Sequence, residues 1–335
     1  MPLPYDAVLL VSFGGPEKLE DVRPFLENVV RGKNVPGERL LEVAEHYALF
    51  GGQSPVNAQN RALLTALIAE LNTHGPQLPV YWGNRHWHPF LSDALRQMAA
   101  DGIRRALAFV TSAFGCYSSC RQYLEEIERA RQEVGSDAPE VDKLRLFYNH
   151  PGFIEPVAQR VSEALAEIPE ERRSRTPVLY SAHSLPMAMA RKCAYVDQLL
   201  EACRLVSECV GCAEWELVYQ SRSGPPSEPW LEPDVCDRVR KLAAAGGIRD
   251  LVIVPLGFLA ENVEILYDLE VEARSVCDEL GLNMVRSAVV GCHWRFVRMI
   301  RELIVERVEP NPTRLALGSH GPSHDVCPAD CCPPR

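Results

Sequence analysis

The chain has no surplus of positive charge. Its 35 Lys and Arg stand against 45 Asp and Glu, a net charge of −10. Non-specific nucleic-acid binding runs on neutralising phosphates with Lys and Arg, so no nucleic-acid partner is expected. No apolar run approaches the ~20 residues of a membrane span, so no transmembrane segment is expected either. The opening MPLPYDAVLLVSFGG lacks a basic n-region and a small-residue cleavage site, so it does not read as a secretory signal. GlyGlyPro at 14–16 lacks the spaced third glycine of a dinucleotide fingerprint, and no P-loop occurs, so no nucleotide cofactor is expected. With 47% hydrophobic and 24% charged residues, the composition also excludes a disordered, collagen-like or coiled-coil chain. These absences leave an acidic globular protein, expected in the cytoplasm.

What is abundant is cysteine, with 12 residues. Without a secretory signal, metal binding or core packing explains thiols better than a disulfide framework. The length of 335 residues suggests two domains. An internal echo supports that division. DAVLLVSFGGP (6–16) resembles PVLYSAHSLP (177–186), PVYWGNRHWHPF (79–90) resembles LVYQSRSGPPSEPW (217–230), and MAADGIRRALAFVTSAF (98–114) resembles LAAAGGIRDLVIVPLGF (242–258). The continuous apolar runs Leu107–Thr111 and Leu251–Pro255 predict parallel strands buried on both faces. Amphipathic stretches predict helices over Asn60–Thr73, Leu91–Ala100, Arg121–Glu133, Phe153–Ile168, Tyr195–Glu208, Val235–Ala245, Ile265–Leu280 and Trp294–Val308. The expected fold is therefore α/β: two similar Rossmann-like domains with parallel sheets, 1–170 and 171–310, with a ligand cleft between them and a Cys-rich tail over 311–335.

Strand C-termini should face that cleft. His183 ends one strand, in SAHSLP, and neutral imidazole is both a metal ligand and a base near pH 7. Glu264, Asp268 and Glu272 are spaced by four, so an α-helix would set them in one slowly drifting column. Like charges at that spacing oppose the helix and raise carboxylate pKa values. A solvated acidic face is the plain alternative. The apolar Ile265, Leu266, Leu269 and Val271 argue instead for a largely buried segment. One His opposed to one carboxylate suits a loosely held divalent metal with open positions.

SAHSLP and GFLAENVEILYDLE resemble the two signature segments of ferrochelatases. VSFGGPE, YWGNRHWHPF, NHPGF and YQSRSGPPSEPWLEP fit the same family, over essentially the whole chain to about Val308. The resemblance implies a lyase that inserts Fe2+, a substrate here, into a porphyrin. His183 and Glu264 would bind iron and take the pyrrole protons, and Asp268 and Glu272 would continue the acidic path. Ser54 and Tyr123 match porphyrin-contacting positions, with Arg31, Lys33 and Arg121 as further sources of positive charge. Phe13 stands where some members carry a metal-proximal Tyr, so it would pack on the macrocycle instead. FLENVVRGKNVP (25–36) and EVAEHYALFGGQSPVNAQNRALL (42–64) resemble the bacterial members that metallate coproporphyrin III during haem biosynthesis, rather than the protoporphyrin IX type. A monomer is expected.

The resemblance also bears on the thiols. Some ferrochelatases hold a [2Fe–2S] cluster with one internal Cys and three in a C-terminal extension, which would be Cys116 with Cys327, Cys331 and Cys332. An internal set, Cys193, Cys203, Cys209 and Cys212, is a second possibility, and zinc a third. Cys236, Cys277 and Cys292 read as small buried hydrophobes. A cobalt or nickel chelatase of the same fold, and a haem carrier or iron–sulfur sensor without activity, are the rival functions.

Overall fold

The structure, a computed structural model, describes residues 3–32, 35–225, 227–328 and 330–333. Each half carries a four-stranded parallel sheet. β1 (Ala7–Ser12), β2 (Val80–Asn84), β3 (Arg105–Val110) and β4 (Glu140–Lys143) form the first, in the order β2-β1-β3-β4. β5 (Val178–His183), β6 (Trp215–Gln220), β7 (Asp250–Val254) and β8 (Asn283–Arg286) form the second, in the matching order β6-β5-β7-β8. The sequence echo is thus a structural duplication. β1 and β7 are buried along their whole length. Their continuous Val/Leu/Ile runs have helices on both sides to cover them, as parallel sheets require.

The expected helices form close to their predicted bounds. Leu91–Ala100, Val235–Ala245 and Trp294–Val308 coincide with them. Two further helices, Leu19–Val29 and Gly37–Leu49, precede the first predicted one. The last helix buries Phe296, Val297, Met299, Ile300, Leu303 and Ile304, an i, i+3, i+4 stripe. That stripe packs on helices Val56–His74 and Pro151–Ala166 of the first half, crossing back over the division expected at residue 170. Arg145 forms a buried bidentate pair with Glu306 on this helix, at 2.7 and 2.8 Å.

Beyond Glu309 the described residues contain no helix or strand. The tail is nevertheless docked. Leu317 N–H donates to Asn149 O at 2.8 Å, and Arg145 donates to Leu315 O at 2.8 Å.

One departure from the expected helices recurs in both halves. After β3 the chain forms a π-helical turn, Tyr117–Arg121, before the α-helix Gln122–Val134. After β7 it forms Val263–Ile265, then a π-helical segment Leu266–Ala273, then the α-helix Arg274–Glu279. π turns are rare and concentrate at functional sites. Cys116 Sγ caps the first π turn, accepting from Ser119 N–H at 3.3 Å, and Asn262 Oδ1 caps the short helical turn before the second, accepting from Ile265 N–H at 2.9 Å.

Candidate functional site

The C-terminal ends of β5, β6 and β7 bring together most of the second-half candidates. His183 closes β5 and is half-buried. Its Nδ1 lies 2.6 Å from Ser184 O. A carbonyl only accepts, so Nδ1 carries the proton and Nε2 keeps its lone pair. That lone pair faces Glu264 Oε2 at 3.9 Å. The expected opposition of His183 and Glu264 is therefore present.

The acids run on as expected, but not in the expected environment. Glu264 and Glu272 are exposed, and Asp268 between them is half-buried. Ile265 and Leu269 turn into the core, whereas Val271 is exposed. The segment is amphipathic rather than largely buried, because its apolar side faces the sheet and its acids do not.

Asp268 is the most constrained of the three. Gln220 Nε2 donates to Asp268 Oδ2 at 3.1 Å, and Ser221 Oγ donates to the same oxygen. Ser221 sits at φ +61°, a left-handed conformation that costs a non-glycine residue about 1 kcal/mol or more. Burial, with added repulsion from Glu264 and Glu272, raises the Asp268 carboxyl to about 7 despite those two bonds. Glu272 is raised too, by partial desolvation of its carboxyl against neighbouring groups and then by Asp234. The opposite flank of the π segment is tied down by Arg286, which reaches Glu270 at 2.5 Å and Glu261 at 2.9 Å. Glu261 N–H donates to Gln59 Oε1 at 2.9 Å, a direct link to the first half.

The first half contributes a different surface. Phe13, exposed at the end of β1, lies 4.5 Å from the buried His86 ring. Below it Ser12, Asn84, Asn57 and Asn60 form a buried polar network, with Asn60 donating to Ser12 Oγ at 2.7 Å and Asn57 to Gly15 O at 3.1 Å. Ser54 is buried against this loop. A Cβ on Gly15 would fall 2.7 Å from Ser54 Cβ, so only glycine fits there. Tyr123 is buried, with the Arg85 guanidinium stacked 4.4 Å over its ring. Arg31 is exposed and bonded to Asn28 Oδ1. Arg121 pairs with Glu125 at 3.3 Å, which takes up the charge expected of it. Lys33 lies outside the described residues. Sequence reasoning missed Arg85 and His86, although both stand in the motif YWGNRHWHPF. It also missed Ser221, Gln220 and Arg286.

The thiols form a second cluster, away from these groups. Among the described residues, His324, Cys327 and Cys331 could share one metal ion, with ligand atoms within 4.8 Å of one another. Cys331 and Cys332 Sγ are 3.8 Å apart. Two internal thiols lie near them, Cys120 beside Cys327 and Cys193 near Cys331 and Cys332, rather than the expected Cys116. A Cys120–Cys327 hydrogen bond raises the Cys120 thiol and lowers that of Cys327. Cys116 is committed to capping the π turn, and burial raises its thiol to about 11. The rival internal set disperses: Cys203 is wholly buried and Cys209 exposed. Of the expected core cysteines, Cys277 is buried and Cys236 half-buried, but Cys292 is exposed because it sits in the loop before the last helix.

The fold has solved counterparts. The sirohydrochlorin chelatase SirB from Bacillus subtilis subspecies spizizenii, in complex with cobalt, matches with a TM-score of 0.53 at 11% identity, over 91% of this chain and 94% of that one. The architecture is thus that of the two-domain α/β chelatases. A family model described as ferrochelatase matches residues 5–308. The ferrochelatase of Rhodopirellula baltica is 56% identical over 98% of this chain and 93% of its own length. The coproporphyrin III ferrochelatase of Streptomyces coelicolor is 48% identical over 99% and 94%. The chain belongs to the ferrochelatase family. Among the described residues, no helix is long and apolar enough to cross a membrane.

Proposed function

We propose that the protein inserts Fe2+ into coproporphyrin III, acting as a monomer in the cytoplasm. The observation that carries this reading is His183 Nε2 facing Glu264 across 3.9 Å at the mouth of an acidic path. The iron is substrate, and the residues' task is to hold it briefly and remove two pyrrole protons. Nε2 offers the iron a lone pair, because Ser184 O holds the proton on the other nitrogen. Glu264 sits where it can share the metal or take a proton. Asp268, raised to about 7, can accept a proton near neutral pH and release it towards Glu272. Phe13, Ser54, Tyr123 and Arg31 would line the porphyrin side. The preference for coproporphyrin III over protoporphyrin IX is supported by relatives that bear that name at 44–50% identity.

The decisive measurement is Fe2+ insertion into coproporphyrin III and protoporphyrin IX by wild-type protein and by His183→Ala. A fall of about 10²–10⁴-fold in the variant is expected, typical of a lost acid–base or metal-binding group. Near-wild-type turnover would sink the assignment, and faster turnover on protoporphyrin IX would reverse the substrate choice.

For the thiols we infer a [2Fe–2S] cluster held by Cys120, Cys327, Cys331 and Cys332. Support comes from the Cys120–Cys327 bond, which lowers the thiol of Cys327, and from the close Cys331–Cys332 pair. Such a cluster would supply one-electron redox chemistry and tie the tail to the first half. Protein prepared anaerobically should be coloured. Cys120→Ser should bleach it and Cys116→Ser should not; the reverse pattern would restore Cys116 as the ligand.

A further inference from the structure

The first half holds a cavity of about 270 Å³ lined by Asn28, Arg31, Asn84, Arg85, His86 and Arg129, among others. Its cations are not equivalent. Arg129 is neutralised by Glu126 on its own helix. Among the described residues, the Arg31 guanidinium is bonded to the neutral Asn28 side chain. Arg85 is only 7% exposed, yet it makes no ion pair among the described residues; Glu126 and Glu133 also line the cavity but pair with Arg129. Its Nη1 donates weakly to Ser118 O at 3.4 Å. Its Nε is buried with no partner at all. The rest of its environment is aromatic: Tyr123 at 4.4 Å and Phe13 at 5.7 Å from the guanidinium carbon.

A buried guanidinium without an anion is costly, and an unmet buried N–H adds to that cost. The pocket therefore presents a demand for a carboxylate. Arginine is suited to answer it, since its planar fork grips both carboxylate oxygens through Nε and one Nη. Nη1 is occupied by Ser118, so the Nε edge is the one left. Phe13 lies beside it, where the apolar macrocycle is expected to rest.

We propose that Arg85 binds a propionate carboxylate of the porphyrin through its Nε edge, with Arg31 as a second cation on the same cavity wall. The proposal rests on the porphyrin reading above and deepens it. It assigns substrate affinity to a residue of the first half that makes no contact with the His183–Glu264 pair.

The test is a fluorescence titration with metal-free coproporphyrin III and, in detergent, its tetramethyl ester. Wild type, Arg85→Met and Arg85→Lys are compared at low and high salt. Arg85→Met should raise Kd for the acid at least about tenfold at low salt, as for a lost charge-assisted bond. The effect should shrink at high salt and be absent for the ester, and Arg85→Lys should recover only part of the affinity, because its ammonium keeps the charge but not the fork. An unchanged Kd for the acid, or equal weakening of acid and ester, overturns the proposal. The second of those results would mean that Arg85 only supports Tyr123. Wild-type protein that fails to bind coproporphyrin III at all would overturn the substrate reading, and this assignment with it.

Discussion

The two halves share strand order, helix placement and even a π turn after the third strand, yet they present opposite chemistry at matching strand ends. β1 leads into Phe13 where β5 ends in His183. β2 leads into Arg85 where β6 leads into Ser221. The first π turn carries Cys120 and leads to Tyr123; the second carries Asp268. One half offers an aromatic floor with cations, and the other an imidazole with acids. The difference shows how a duplicated scaffold can divide labour: one half to grip an anionic, apolar ligand, the other to handle metal and protons. The halves should therefore fail differently when mutated.

The sharpest contrast is expected at Glu264. Glu264→Gln should lower kcat about 100-fold or more with little change in porphyrin Kd, read by steady-state kinetics beside fluorescence titration. A variant that lost binding but kept kcat would erase the distinction between the halves. Gly15→Ala should do the reverse. A methyl group 2.7 Å from Ser54 Cβ forces the porphyrin-side loop apart, for a cost of about 1–3 kcal/mol and a raised KM.

Asp268 separates proton handling from metal binding. Its folded pKa of about 7 lies above the ordinary carboxylate value, so the folded state binds a proton more tightly than the unfolded state. Its charge therefore costs stability, increasingly as pH rises from about 4 to 7. Asp268→Asn should raise Tm by a few degrees at pH 8, with the gain fading towards pH 4. It should also flatten the rise in insertion rate near pH 7. A Tm gain greater at pH 4 than at pH 8 would contradict the assignment. The smallest effect is expected at the caps. Asn262→Ala should cost about 1 kcal/mol in a urea melt. Cys116→Ala should cost less, because a thiol is a weak acceptor.

Much of the fold was legible from the residues. Buried parallel strands and amphipathic helices write opposite periodicities, and the echo between 98–114 and 242–258 carries the duplication. Helices Leu19–Val29 and Gly37–Leu49 were not legible. The first contains Pro24, and the second buries no residue, so neither writes a clean apolar stripe. The π turns left no local mark either. The second is tied from outside, by Arg286 to Glu270 on one flank and by Ser221 and Gln220 to Asp268 on the other. Within the site, His183 and Glu264 were readable because each ends or follows an apolar strand. Arg85 was not, because a charge inside a loop motif looks solvated until the fold surrounds it with Tyr123 and Phe13. Cys120 and Cys116 were indistinguishable by spacing. Which one turns towards the tail is decided by the π turn that separates them.

The return of helix Trp294–Val308 to the first half bears on how the chain assembles. Phe296, Ile300 and Leu303 join a core that also contains Leu10, Leu67 and Phe109. During synthesis that core stays unfinished until the ribosome has passed residue 308, by which time the whole second sheet has been made. Domains commonly fold N-terminal first as they emerge, but here the earlier half must wait for the later one. A chain truncated before Trp294 would leave the first half open along helices Val56–His74 and Pro151–Ala166, with apolar surface exposed and prone to aggregate.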